Sequence, residues 1–252
     1  MYQQYPPSEY APPPPPARVS LPQGTPFVTY AILALTVVVY LAQMLSDVLL
    51  GGDLPAYYGM KINEMIMAGQ FWRLFTPALL HGSVLHIGFN MYALVVIGSG
   101  LERLFGHSRY LLLYLAGAFA GNVFSFLLSP NPSLGASTAV FGLLGAQAVF
   151  LFRHREIFGD QARSALQNIL FIAGLNFLIG LQPGIDNWGH LGGLLGGLIF
   201  TWFGGPKFNL HGLYPFFHLE DEHGTVQTLT GLAMIVFVFG SLVVLRLLGV
   251  GG

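Results

Sequence analysis

Cysteine is absent from the 252-residue sequence. Disulfides, thiol catalysis and cysteine-based metal sites are thereby excluded, although the absence does not identify a redox compartment. Charge is nearly as scarce. Asp, Glu, Lys and Arg make up 8% of the chain, where a soluble domain carries about 25%. The 10 Lys and Arg are scattered and the formal net charge is -1, so the clustered basic surface that holds phosphates is missing and no nucleic-acid partner is expected. The N-terminus also lacks a basic-then-apolar leader, and the first apolar run is expected to remain as a span. What the chain has instead is 54% hydrophobic residues and a mean hydropathy of +0.63, the composition of a polytopic membrane protein.

Residues 1–26 include "PPSEYAPPPPPARVSLPQGTP", too rich in proline for a helix or a sheet, and read as an extended polyproline tail: a disordered appendage or a ligand for a proline-reading module. Beyond it, apolar runs recur at 27–46, 84–102, 109–128, 135–152, 165–181, 187–204 and 226–248, each near the ~20 residues that cross a bilayer as a helix. The expected fold is all-α, with seven spans. The fifth is the weakest, short and ending in "LQPGID", and suits a shallow or tilted helix.

Positive charges orient these spans. With the N-terminus inside, Arg18, Arg103, Arg109, Arg153, Arg155, Arg163 and Lys207 are cytoplasmic and only Lys61, Arg73 and Arg246 are outside. Spans two, four and six then begin together at the outer face. That places His86 and Asn90, Ser137, and His190 at similar depth, and polar side chains in a membrane usually face a bundle interior or a wet cavity. Small residues permit close helix approach: Gly193 and Gly197 lie four apart in "GHLGGLLGG", and span four carries Gly135, Ala139, Gly142 and Ala146.

Each polar residue has a bland reading. A lone intramembrane serine commonly bonds the carbonyl one turn back. Ser137, however, lies in the first turn after the loop "SPNPSLG", where backbone N–H groups lack intrahelical partners and can stabilise an oxyanion. His190 is either a packing histidine or the general base such a serine requires. His86 and Asn90, spaced i to i+4, share one helical face; they either bond between helices or donate to a developing oxyanion. Taken jointly, the four favour catalysis.

These residues resemble the rhomboid intramembrane serine proteases. The resemblance rests on "GAST" (135–138), "GHLGGLLGG" (189–197), "HGSVLHIGFN" (81–90) and "FWRLFTPALLHG" (71–82), and covers about residues 27–204. It implies a six-span catalytic core over 27–204, with Ser137 as nucleophile and His190 as base. It also implies an oxyanion site from the Ser137 backbone N–H with His86 and Asn90, and no cofactor. Trp72 and Arg73 would support a partly embedded first loop, and His81, Gly135, Gly193 and Gly197 complete the motifs. Residues 205–225 are expected as an interfacial cytoplasmic loop, and residues 226–252 as a seventh helix and C-terminus outside the core.

Two positions depart from the family pattern. Thr138 stands where many members have glycine, and Phe141 where a tyrosine often packs on the histidine; a phenyl ring can still form that wall. Asp186, four residues before His190, reads as a helix N-cap rather than a third triad member. Glu102 and Arg103 read as a structural cap before Gly106. His211, His218 and His223 invite a metal reading, but without an HExxH signature or a helical i, i+4 ligand pair no metal is expected.

The implied activity is hydrolysis of transmembrane segments of protein substrates, which enter from the lipid bilayer past span five. The rival is a rhomboid-like protein that binds transmembrane helices without cutting them; retention of both Ser137 and His190 argues against it. A transporter would show a polar stripe across the membrane. Absence of a presequence and short loops suggest a bacterial inner membrane, with an organellar one left open.

Overall fold

The computed structural model describes residues 18–20, 22–213 and 215–249. The polyproline reading of residues 1–17 lies outside the described residues. Apolar runs fold as α1 (Phe27–Leu50), α4 (Val84–Phe105), α5 (His107–Leu128), α6 (Ser137–Arg153), α7 (Arg155–Ile179), α8 (Asn187–Gly204) and α9 (Thr225–Leu247). Two short helices, α2 (Leu54–Gly59) and α3 (Asn63–Met67), lie in the long connection between α1 and α4. The all-α polytopic expectation holds for this helical body.

Helix ends follow local chemistry. Gly51 terminates α1 in the left-handed conformation at φ 71°, and Gly106, at φ 76°, separates α4 from α5. At the start of α1, the N–H groups of Val28 and Thr29, which have no intrahelical partners, donate to the carboxylate of Glu102 at 2.8 and 2.7 Å. Thr29 Oγ1 donates to the same carboxylate at 2.7 Å. Glu102 is therefore a structural cap, as expected, but chiefly for a helix more than seventy residues earlier.

Of the seven expected spans, α1, α4, α5, α7 and α9 are long and apolar enough to cross a membrane on those criteria alone. The exceptions, α6 and α8, occupy the interior. Every residue of α6 from Thr138 to Ala146 is buried, and α8 buries Gly189, Gly192, Gly193, Gly196 and Gly197. Protein surrounds these two helices where lipid would otherwise, so neither needs a long apolar stretch.

Missing side chains set the spacing of α5, α6 and α8. A Cβ on Gly193 would stand 2.0 Å from Thr138 O, and one on Gly197 would stand 1.8 Å from Gly142 O. On the other side of α6, a Cβ on Gly117 would meet the Cα of Gly142 at 3.0 Å. This is the close approach foreseen for Gly193 and Gly197. Thr138 fits the same scheme: a Cβ on Gly121 of α5 would lie 2.6 Å from Thr138 Cβ, so the bare glycine makes room for the larger residue.

Two expectations are corrected. The fifth span, α7, is longer than its apolar run: helix begins at Arg155, breaks at Gly159 (φ 52°, ψ −130°) and continues over residues 160–179. Its first turns are too charged to stand out as an apolar run. It is loosely held, burying only Ala162, Ile169 and Ala173. Second, residues 205–225 form a hairpin of β2 (Phe208–Leu213) and antiparallel β3 (Phe216–Asp221), joined in parallel by β1 (Arg18–Ser20) in the order β1–β3–β2. Each strand is short, which hides its alternation. His223, instead of joining His211 and His218, has Nδ1 2.8 Å from Gly205 O.

One face of the bundle gathers the start of α1, the ends of α4, α6 and α8, and the start of α9. Arg109 of α5 ties it together, donating to Asp221, the His223 carbonyl and Thr228. The starts of α4, α6 and α8 meet at the opposite face.

Candidate active site

At that opposite face, residues 129–136 lead into α6 and are fixed by backbone contacts. The ammonium of Lys61, fully buried, donates to Ser129 O and Asn131 O at 2.8 Å each, and Lys61 and Ser133 exchange main-chain bonds of 2.9 and 3.1 Å. Burial pulls the lysine pKa down to about 8. Gly135 N–H donates to Pro77 O at 2.9 Å. Gly135 itself adopts φ +137°, a conformation that L side chains rarely take, and a Cβ there would stand 2.8 Å from His86 Nε2. No other residue fits this turn.

Ala136 N–H donates to His81 Nε2 at 3.3 Å. His81 is in turn gripped by Gln43 of α1, whose Oε1 accepts the His81 N–H at 3.0 Å and whose Nε2 donates to His81 O at 3.3 Å. Burial, reinforced by the neighbouring His86, pulls the His81 imidazole down to about 4, so at neutral pH it is the uncharged acceptor this contact needs.

Ser137 is the first residue of α6, its N–H in the turn that has no intrahelical acceptor. His190 lies in the first turn of α8, which Asp186 begins as N-cap by accepting the Gly189 N–H at 2.9 Å. Asp186 also accepts from Ser125 Oγ, which lies 3.2 Å from Ser133 Oγ, so one carboxylate joins α8 to α5 and the loop before α6. The N-cap reading of Asp186 matches this geometry. His190 Nε2 stands 3.0 Å from Ser137 Oγ. The ring of Phe141 stacks on His190 at 4.4 Å between centroids with an 8° tilt, and Phe177 of α7 meets Phe141 edge-on at 5.5 Å. The stacking wall is intact without a phenol.

A cavity of about 790 Å³ opens over this pair, lined among others by Ser137, His190, His86, Asn90, Phe89 and Asn176. Asn90 Nδ2 donates to His86 O at 2.9 Å, so the amide is turned to its own helix in this structure. Chemically, the arrangement can pass a proton from a hydroxyl to an imidazole, beside N–H groups able to receive a developing anion.

Trp72 and Arg73 sit away from the cavity and brace the loop between α1 and α4. Trp72 Nε1 donates to Tyr58 O at 3.0 Å, and Arg73 donates to Met60 O at 2.7 Å and Tyr57 O at 2.9 Å. Gly193 and Gly197 lie in the helix contact below. Sequence reasoning missed Gln43, Lys61, Ser125 and Phe177. Gln43 and Ser125, polar residues inside apolar runs, carried a signal that could have drawn attention.

Comparison with known proteins gives a consistent result. The Rhomboid domain family model matches residues 68–207, more than half of the chain. The chain is 38% identical over 175 residues to rhomboid protease GluP of Bacillus subtilis, an alignment covering 69% of this chain and 34% of that protein. It is 32% identical over 159 residues to RHOMBOID-like protein 9, chloroplastic, of Arabidopsis thaliana, covering 63% of this chain and 37% of the relative. With RHOMBOID-like protein 5 of the same plant it shares 32% identity over 220 residues, 80% of this chain and 71% of the relative. The chain thus spans only about a third of the length of the first two.

Proposed function

The chain belongs to the rhomboid family, and from this we propose that it is an intramembrane serine endopeptidase that cuts transmembrane segments of other membrane proteins with Ser137 and His190. The observation that carries the reading is the 3.0 Å separation of Ser137 Oγ and His190 Nε2 at the floor of the cavity.

His190 takes the hydroxyl proton as Ser137 Oγ attacks the scissile carbonyl. The resulting oxyanion is received by the Ser137 N–H and by His86, with Asn90 joining once its amide leaves the His86 carbonyl. His190 then donates its proton to the departing amine, and an acyl-enzyme remains. Water, deprotonated by His190, releases the acyl group and regenerates the serine. A helical substrate shields its own amides, so the segment must unwind before attack, which favours small or helix-breaking residues near the cut. Loosely packed α7 is the side from which it would enter. The distribution of Lys and Arg supports an orientation with the N-terminus in the cytoplasm and the dyad near the outer face, and the reading takes the membrane as a bacterial inner one, with an organellar membrane as the alternative.

The test is cleavage of a single-span reporter by the full chain in liposomes, comparing wild type with Ser137→Ala and His190→Ala. Loss of cleavage in both variants, with folding retained, is the expected result. Wild-type protein that binds reporters and leaves several different ones intact would replace this reading with a non-cutting helix binder.

A further inference from the structure

The β2–β3 hairpin has two chemically distinct faces. Opposed residues of an antiparallel pair project to the same side, and the register pairs Phe208 with Asp221, Leu210 with Leu219 and Gly212 with Phe217. That side is apolar except for Asp221 at its base. The alternate pairs are Asn209 with Glu220, His211 with His218 and Leu213 with Phe216; apart from the last pair, at the tip, this side is polar.

The base of the apolar side is already in use. Phe208 is buried, its ring 6.0 Å from Phe150 and 5.7 Å from His154; Leu219 packs on the same core, and Asp221 holds Arg109 at 2.7 Å. Towards the tip, among the described residues, the same side leaves Leu210 44% exposed and Phe217 half-buried, while Leu213 and Phe216, the tip pair of the other side, are 86% and 67% exposed. No Asp, Glu, Lys or Arg occurs between Leu210 and Leu219; His211 and His218 lie there on the polar side, with His211 3.9 Å from Glu220, and the ion pairs Lys207–Glu222 and Arg109–Asp221 stay at the base.

Connection lengths fix where this surface lies. Residues 205–207 link α8 to β2 and residues 222–224 link β3 to α9, so the base cannot leave the helix ends. Six-residue strands carry the tip at most about 20 Å from there. Phe208, Leu219 and Asp221 hold the base of the apolar side against the bundle. Trp202 in the last turn of α8 is 48% exposed beneath the Arg153 guanidinium, an aromatic of the kind that membrane–water interfaces favour.

We propose that the hairpin is an interfacial anchor: the side carrying Leu210 and Phe217, with the Leu213–Phe216 tip, lies in the headgroup–acyl boundary of the leaflet on the face opposite the dyad, while Asn209, His211, His218 and Glu220 face water. The occupant is lipid, because the surface continues one already packed on the membrane-embedded bundle. Anchoring there fixes the height of α8, the helix that carries His190.

The cysteine-free chain makes the test direct. Single cysteines replacing Leu210, Phe217, Asn209 or His211 are spin-labelled in the full chain reconstituted in phosphatidylcholine–phosphatidylglycerol vesicles, and accessibility to oxygen and to a water-soluble nickel chelate is read. Oxygen should exceed chelate at 210 and 217, and the order should reverse at 209 and 211. Equal chelate access at all four would overturn the proposal in favour of an upright hairpin. Positions 210 and 217 closed to both reagents would overturn it in favour of a protein partner or a second copy. A Leu210→Trp variant keeps the site apolar and gives an independent reading: quenching by brominated phosphatidylcholine above the wild-type level supports lipid contact, and no increase refutes it.

Discussion

Asp186 accepts a hydrogen bond from Ser125 across the α8–α5 contact, and its carboxylate also takes the Gly189 N–H. Among the described residues, the ring of His190 one turn later bonds only to Ser137, its Nδ1 having no partner. The acid thus fastens the helix that bears the histidine without touching the imidazole.

Asp186→Asn keeps a good N-cap and an acceptor for Ser125, and reporter cleavage should stay within about tenfold of wild type, whereas loss of a true triad acid costs about 10⁴-fold. Asp186→Ala should lower stability by about 1–2 kcal/mol through the lost cap. A collapse of kcat in the asparagine variant at unchanged thermal stability would make Asp186 part of the proton path.

At Gly197 the obstacle to a side chain is the Gly142 carbonyl, 1.8 Å from the added Cβ, whereas at Gly100 nothing lies within 4 Å. Gly197→Ala should therefore cost about 3 kcal/mol or more by forcing α6 and α8 apart. Gly100→Ala should be neutral or stabilising by up to about 1 kcal/mol from helix propensity. Thermal unfolding of the two variants in detergent decides it; equal midpoints would mean the glycine contact is softer than drawn.

The sites legible in the sequence were those where a polar side chain interrupts an apolar run: Ser137, His190, His86 and Asn90. Lys61 lies outside every apolar run, and Ser125, though inside one, gave no hint of its role, because their targets are loop carbonyls or a carboxylate sixty or more residues away and no period connects them. The first turns of α7 were missed because Arg155, Glu156 and Asp160 fold as helix without needing apolar neighbours. The hairpin was missed because strands of only six residues each give too few repeats of alternation, and Leu213 and Phe216 place apolar residues on its otherwise polar side.

His81 gives a pH signature. Its folded pKa of about 4 lies below the ordinary 6.5, so between these values the unfolded chain binds a proton that the folded chain refuses. Stability contributed by the neutral ring is complete above pH 6.5 and declines as pH falls towards 4. In a Ser137→Ala background, the melting temperature should fall across that window more steeply than in a companion carrying His81→Gln. Parallel curves would remove His81 as the source.

Phe141 supplies the wall behind His190. Phe141→Ala removes a stacked, buried ring and should cost about 3–5 kcal/mol, with cleavage falling further than stability alone accounts for. Phe141→Leu retains volume without a flat face, and comparing kcat for Leu and Ala at a temperature where both are folded separates stacking from bulk. Equal kcat for wild type and Phe141→Leu would show that the flat face adds nothing.

Glu102 lies far along the chain from the helix whose start it secures. When the ribosome has delivered α1 to the bilayer, the N–H groups of Val28 and Thr29 have no carboxylate to meet until some seventy further residues have been made. During that interval the first turn of α1 is finished by whatever the headgroup region offers, chiefly water and lipid phosphate. Arrival of α4 displaces those temporary acceptors, and the first helix acquires its permanent end only when the second is in place.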